Sequence, residues 1–329
     1  MLESEKSAQD IQAIKLELED YAKSTQHYKK YLQEIQIKLK YLSIFTSHKL
    51  DQVEIPTTNK IVHCILLTFY FSEILERCLE SLFLERDRMD ISVIENRSMN
   101  SDAIRKVVDK YRDKGLIKNH FIFNENIGAN AFEITFDSNL LDLNYPFITV
   151  TDGDLIPDKS WLDEQITILN QCPEVFSVST PLYYDNAPPK QREKAQTIPI
   201  QSKNSFYQEC IAGWVLKTFR NSDWKDFIDF RKKHNIFFHD RSAYDYGKLY
   251  KHKKSVLTLN SKSYHLTWDY ADSEYLTVKK SLGETTNNPW YHDRYSGFLL
   301  IRENQEELYC SAPPEVVHQK LSAQFNRTP

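Results

Sequence analysis

Between residues 61 and 151 short apolar runs alternate with segments of helical period, and this alternation restricts the fold more than any other feature of the chain. Ile61 to Leu67 is an apolar run rich in β-formers and reads as a buried strand. Ser72 can cap a helix that places Ile74, Leu75, Cys78, Leu79 and Leu82 on one face. Ile91 to Ile94 is a second strand, and a helix from about Ser101 to Lys114 follows, ended by Gly115. Phe121 to Phe123, a helix from Ala131 to Leu140, and a strand from Pro146 to Thr151 continue the pattern. Strands separated by helices at this spacing predict a largely parallel sheet covered on both faces.

The first 45 residues follow a different rule. Ile11, Ile14, Leu18, Tyr21, Thr25, Tyr28, Leu32, Ile35, Leu39 and Leu42 are spaced alternately by three and four, with Glu, Lys and Gln between them. The seam fits a coiled coil that pairs chains through residues 11–42, and equally a long amphipathic helix packed on its own domain. Pro56 and Thr57-Thr58-Asn59 mark a linker, dividing an N-terminal helix over 1–50 from a second domain over 57–329.

Later segments are less regular. Residues 186–206, with Pro188, Pro189 and several cations, read as a long mobile loop. Helical patterns near Asp223 to Lys233 and Tyr244 to Tyr250, and a strand at Val256 to Leu259, come next. From Ser281 onward no period stands out, although Trp290-Tyr291-His292-Asp293-Arg294 mixes aromatics with charge in a way that suits a surface loop or a cover over a ligand.

Composition removes several classes. A net charge of −4 with both signs interspersed gives no field to hold a nucleic acid backbone. The five cysteines are scattered without C-x-x-C spacing, as expected of reduced thiols in a cytosol. The longest apolar run is far short of the roughly 20 residues that span a bilayer, and the charged N-terminus offers no signal-peptide core. A cytoplasmic protein is expected.

The densest chemistry lies at Phe147-Ile148-Thr149-Val150-Thr151-Asp152-Gly153-Asp154. In extended backbone the two carboxylates point to one side, at the carboxyl edge of the sheet where α/β proteins bind ligands. Two hard oxygen donors suit Mg²⁺ or Mn²⁺ with positions left for diphosphate and water. A polar turn after a strand accounts for the same residues.

Val62 to Tyr70, continuing through Glu73, Leu75, Arg77-Cys78-Leu79-Glu80-Ser81-Leu82, resembles the opening strand and helix of family 2-like glycosyltransferases of the GT-A fold. Ile94-Glu95-Asn96-Arg97-Ser98 resembles that family's acidic second-strand motif, Asn124-Glu125-Asn126-Ile127-Gly128 its N-x-G turn, and Asp152-Gly153-Asp154 with Pro157 and Trp161-Leu162 its D-x-D motif. The resemblance covers about residues 61 to 266. It implies a GT-A type, Rossmann-like α/β domain and transfer, with inversion, from a UDP-sugar to a glycan or glycolipid hydroxyl. It also implies bacterial surface polysaccharide assembly at the inner face of a membrane, reached by peripheral association. By resemblance, Thr68, Phe69, Glu95, Asn126 and Asp152 would hold the nucleotide, Phe69 by stacking and Glu95 on the uracil N–H. The Asp-to-Glu and Pro-to-Leu departures at Glu95 and Leu67 bear on base identity.

Asp152, Asp154 and His265 would hold Mn²⁺ or Mg²⁺, and Asp240, in Phe238-His239-Asp240, would be the base; Gly213-Trp214 would face the acceptor. On residue chemistry alone, Asp240 equally reads as a helix N-cap, His265 as a satisfied core histidine, Phe69 as a core aromatic and Glu95 as a solvated strand-end carboxylate. A non-catalytic coiled-coil assembly module is the rival class. A sugar nucleotidyltransferase would need a glycine-rich, basic loop where Thr68-Phe69-Tyr70-Phe71-Ser72 has neither glycine nor cation.

Overall fold

The computed structural model describes residues 59–69, 71–96, 101–128, 130–196, 200–211, 213–234, 236–270, 297–302 and 305–310. The heptad seam, the linker and the Trp290 to Arg294 cluster lie outside the described residues.

The first half is β1 Val62–Thr68, α1 Ser72–Leu82, β2 Met89–Asn96, α2 Ser101–Asp113, β3 Ile117–Phe123, α3 Asn130–Asp137 and β4 Phe147–Asp152. It continues with β5 Leu155–Pro157, α4 Trp161–Gln171, β6 Val175–Ser179, α5 Pro189–Gln196, β7 Ser202–Lys203, β8 Gln208–Glu209 and β9 Lys217–Arg220. The last elements are α6 Asn221–Lys233, α7 Asp240–Leu249, β10 Lys254–Leu257, β11 Ser263–His265, β12 Gly297–Arg302 and β13 Gln305–Cys310.

Eleven strands form one sheet in the order β13-β12-β3-β2-β1-β4-β9-β6-β10-β8-β7. β1 pairs in parallel with both β2 and β4, and β2 with β3, as the alternation predicts. Antiparallel β9 separates β4 from β6, so the sheet is mixed with a parallel centre. Side chains alternate across it: Val62, Cys64 and Leu66 of β1 enter a core with α1, α2 and α4, while Ile65 enters the opposite core with α3, α6 and α7. Both faces are covered, which is why these strands are almost wholly buried.

Two expectations need correction. Residues 186–206 carry the helix α5 and the strand β7, because Pro189 at the first helical position presets the backbone and Arg192 donates to the carbonyls of Ala187 and Asp185. The C-terminal portion, where no period stood out, also has order: Gly297 to Arg302 pairs antiparallel with β3 and with β13, extending the sheet beyond β3.

Candidate functional site

β1, β2 and β4 run the same way and end together. Leu67 lies opposite Asp152, and Thr68 opposite Glu95, so their carboxyl ends form one edge. A cavity of about 220 Å³ opens there, lined by Leu67, Thr68, Phe69, Phe71, Ile74, Asn96, Asp152, Gly153, Asp154 and His265.

Gly153 is what lets β4 turn past the end of β1. Its N–H donates to the Leu67 carbonyl at 2.7 Å. A Cβ on it would meet Leu66 Cδ2 at 2.9 Å, the Leu67 carbonyl oxygen at 3.1 Å and Thr68 Cβ at 3.3 Å, so a larger residue must push Leu66 aside and crowd the end of β1.

Immediately after this turn β5 pairs with β11, placing His265 opposite Leu155, and Leu266 N–H donates to the Asp154 carbonyl at 2.8 Å. Residues more than a hundred positions apart are thereby fixed side by side. His265 Nε2 lies 3.7 Å from Asp154 Oδ2. Thr267 Oγ1 donates to the same Oδ2 at 3.1 Å, while Asp154 Oδ1 is buried without a hydrogen-bond partner among the described residues. Asp152, at the tip of β4, is exposed, and its N–H reaches the Trp214 carbonyl at 3.4 Å.

An orphaned buried carboxylate oxygen beside an imidazole fits a divalent cation, since a buried acceptor without a donor is costly. Among the described residues no three His, Cys, Asp or Glu side chains gather into a metal cluster. Asp152, Asp154 and His265 share the cavity without closing around a point, an arrangement that suits a cation completed by substrate phosphates and water.

Three expected residues lie off the cavity wall. Glu95 is fully buried, its carboxylate accepting from Ser101 Oγ and facing His120 Nε2 at 3.1 Å. Asn126 Oδ1 accepts from Gly128 N–H at 3.0 Å, closing a turn in which Gly128 has φ +60°. Asp240 begins α7, but the cap of that helix is His239, which forms a reciprocal capping box with Ser242. The Asp240 carboxylate accepts from Arg241 N–H at 2.7 Å with Oδ1, and its Oδ2 lies over Gly213, 3.4 Å from where a Cβ would stand.

Two neighbours of these groups were not singled out in the sequence. Asn96 lines the cavity and braces the 127–128 turn, accepting from Ile127 N–H at 2.8 Å and donating to the Gly128 carbonyl at 3.0 Å. Lys217 is fully buried, 5.4 Å from the centre of the Trp214 ring. Burial pushes its ammonium pKa down to about 8, opposed by the negative charge of Asp240. A polar residue closing a strand was the available signal for Asn96; for Lys217 there was none, because its strand was not evident.

The segment leading to Asp240 is anchored internally. Buried Glu133 accepts from Phe238 N–H at 3.1 Å and pairs with buried Arg231 at 3.1 Å, which also binds Asp137. Removing one partner of such a buried cluster costs about 3–5 kcal/mol. Phe238 then stacks on Trp214, centroids 5.0 Å apart and planes within 7°. The described cysteines Cys64, Cys78, Cys172 and Cys210 are buried, and burial pushes the Cys78 thiol up to about 12.

No protein-family model matches the chain. It is 34% identical over 259 residues to uncharacterized protein L138 of Acanthamoeba polyphaga mimivirus, covering 74% of this chain and 28% of that protein. It is 30% identical over 256 residues to uncharacterized protein L137 of the same virus, covering 75% and 35%, and 31% identical over 226 residues to L142, covering 66% and 46%. The chain thus spans less than half the length of each of these relatives.

Solved structures similar to it include the mannosyltransferase PcManGT from Pyrobaculum calidifontis in complex with GDP-Man and Mn²⁺, at TM-score 0.45 and 13% identity over 90% of this chain and 79% of that one. S. aureus TarS 1-349 in complex with UDP-GlcNAc is similar at TM-score 0.43 and 14% identity, covering 62% and 58%. GalNAc-T7 with UDP, GalNAc and Mn²⁺ is similar at TM-score 0.42 and 12% identity, covering 63% and 43%.

Proposed function

We propose that the chain is a glycosyltransferase moving a sugar, with inversion, from a UDP-sugar to a hydroxyl of a glycan or glycolipid. The observation that supports this reading is the convergence of Thr68, Phe69, Asp152, Asp154 and His265 on one cavity at the carboxyl edge of a parallel sheet. Phe69 offers a ring for the base, and Thr68 a hydroxyl at the strand end. Asp152 meets the ribose or the cation; Asp154 and His265 hold Mn²⁺ or Mg²⁺. When bound, such an ion supplies positive charge against the departing diphosphate.

Asp240 takes the proton of the incoming hydroxyl as its bond to C1 forms. The setting we assign is surface-glycan assembly in the cytoplasm at a membrane face, with self-association through residues 11–42. Glu95, enclosed by Ser101 and His120, and Asn126, closing the 126–128 turn, then shape the base side of the cavity from behind rather than by direct contact.

A screen of nucleotide-sugars tests the reading. One donor should be hydrolysed, or should raise the unfolding temperature, with Mn²⁺ and not with EDTA; a ligand at about 100 times its Kd adds about 2.7 kcal/mol of stability. Asp154→Asn should abolish both effects. Failure of every donor to turn over or stabilise the parent protein would refute the assignment.

A further inference from the structure

Thr267 touches both members of the pair assigned to the cation, and its single proton restricts what each can do. It is buried, with Oγ1 3.1 Å from Asp154 Oδ2 and 2.8 Å from His265 Nδ1. An ionised carboxylate only accepts, so the Thr267 proton goes to Asp154. The hydroxyl oxygen then accepts from His265, which places a hydrogen on Nδ1. In a neutral imidazole the other nitrogen carries the lone pair, so Nε2 presents that pair on the side of Asp154 Oδ2, 3.7 Å away and beyond hydrogen-bond range. The plane of the ring and the backbone that carries it are both held. Trp268 stacks on it at 4.5 Å and 7°, and Asn186 Nδ2 donates to the His265 carbonyl at 3.1 Å.

We propose that Thr267 is a positioning residue that fixes His265 as the Nδ1–H tautomer and aims its Nε2 lone pair, together with the Asp154 carboxylate, at one divalent cation. This rests on the reading of Asp154 and His265 as cation ligands. Partners that fix the tautomer of a ligating histidine are worth 10- to 100-fold in metal affinity. The chain explains why a threonine can serve both groups: the β5–β11 ladder ends with His265 opposite Leu155, and the 3-10 turn that follows, tied by Leu266 N–H to the Asp154 carbonyl, delivers residue 267 beside the 152–154 turn.

The test uses the full chain with saturating UDP and follows free Mn²⁺ by electron paramagnetic resonance. Thr267→Val keeps the shape and removes the hydroxyl, and should weaken Mn²⁺ binding about 10- to 100-fold. Thr267→Ser should retain the parent affinity. In cation-free protein, long-range ¹⁵N–¹H spectra of histidine-labelled parent should show His265 protonated at Nδ1, a readout that needs no folded Val variant.

Parent-like Mn²⁺ affinity in Thr267→Val, with loss in Asp154→Asn, overturns the role of Thr267 alone, as does an Nε2–H or doubly protonated His265 in the parent. Equal or absent Mn²⁺ binding in the parent and Asp154→Asn overturns the cation reading and this inference with it.

Discussion

Asp240, the base in the proposed function, is not needed as a helix cap. His239 and Ser242 already satisfy the start of α7, so the Asp240 carboxylate can lie over Gly213, whose neighbour Trp214 is tied by its carbonyl to Asp152 N–H. Lys217 beneath Trp214 adds a cation whose charge is coupled to it. Asp240→Asn keeps the shape and removes the basicity, so it should lower the catalytic rate by two or more powers of ten with UDP affinity nearly unchanged. Asp245 is the control, since it pairs with exposed Arg241 at 2.8 Å and its amide should leave the rate near the parent value. Full activity in Asp240→Asn, or an equal loss of UDP binding, assigns this carboxylate to shaping the pocket. Asp152 and Asp154 came forward because a strand end is a local property, and Thr68, Phe69 and His265 through the motifs that resemble family 2-like glycosyltransferases. The sequence could not show that Glu95 turns inward to Ser101 and His120, nor that Thr267 bridges Asp154 and His265. Both depend on pairings across strands far apart in the chain.

The central strands carry a polar chain through their apolar interior. His63 on β1 donates from Nδ1 to the Asp142 carbonyl at 2.6 Å and accepts at Nε2 from Ser92 Oγ on β2 at 2.8 Å, while Asn119 on β3 donates to Ser92 at 2.8 Å. This proton arrangement needs a neutral ring. Burial pushes the His63 pKa down to about 4; the hydrogen bond to Asp142 opposes this, Lys118 reinforces it, and the charges of Asp90 and Asp142 oppose it. The unfolded ring titrates near 6.5, so between about pH 6.5 and 4 the unfolded chain binds a proton that the folded chain refuses. Stability should therefore be full above pH 6.5 and fall by about 3 kcal/mol as the pH drops to 4. Urea midpoints across that range measure the loss, and His63→Gln should flatten it; an unchanged slope would place the acid sensitivity elsewhere. The parallel centre was legible because each strand and helix there has its own period. β6 and β9 are short, and the turns that align them are irregular. β12 was hidden because its pairing with β3 joins residues about 180 apart, a contact that no local pattern encodes.

At the scale of the whole chain, the described residues bury two cores, one on each face of the sheet. We expect the sheet domain to form without the N-terminal seam, and the seam to serve association. Its composition suggests how strongly. Ile11, Ile14, Leu18, Leu32, Ile35, Leu39 and Leu42 supply apolar knobs at both ends, but Tyr21, Thr25 and Tyr28 interrupt the middle with hydroxyls that a tightly packed seam accommodates poorly. Pairing through such a stripe should be reversible and concentration-dependent. Sedimentation of the full chain should show an oligomer that dissociates on dilution, and a chain starting near Glu54 should remain monomeric at every concentration. Donor hydrolysis per chain should be the same in both, because the cavity is built from β1, β2, β4 and the β5–β11 pair within one protomer. Monomers in both cases, or the same oligomer in both, would remove residues 11–42 as the association surface and leave the seam to pack on its own domain.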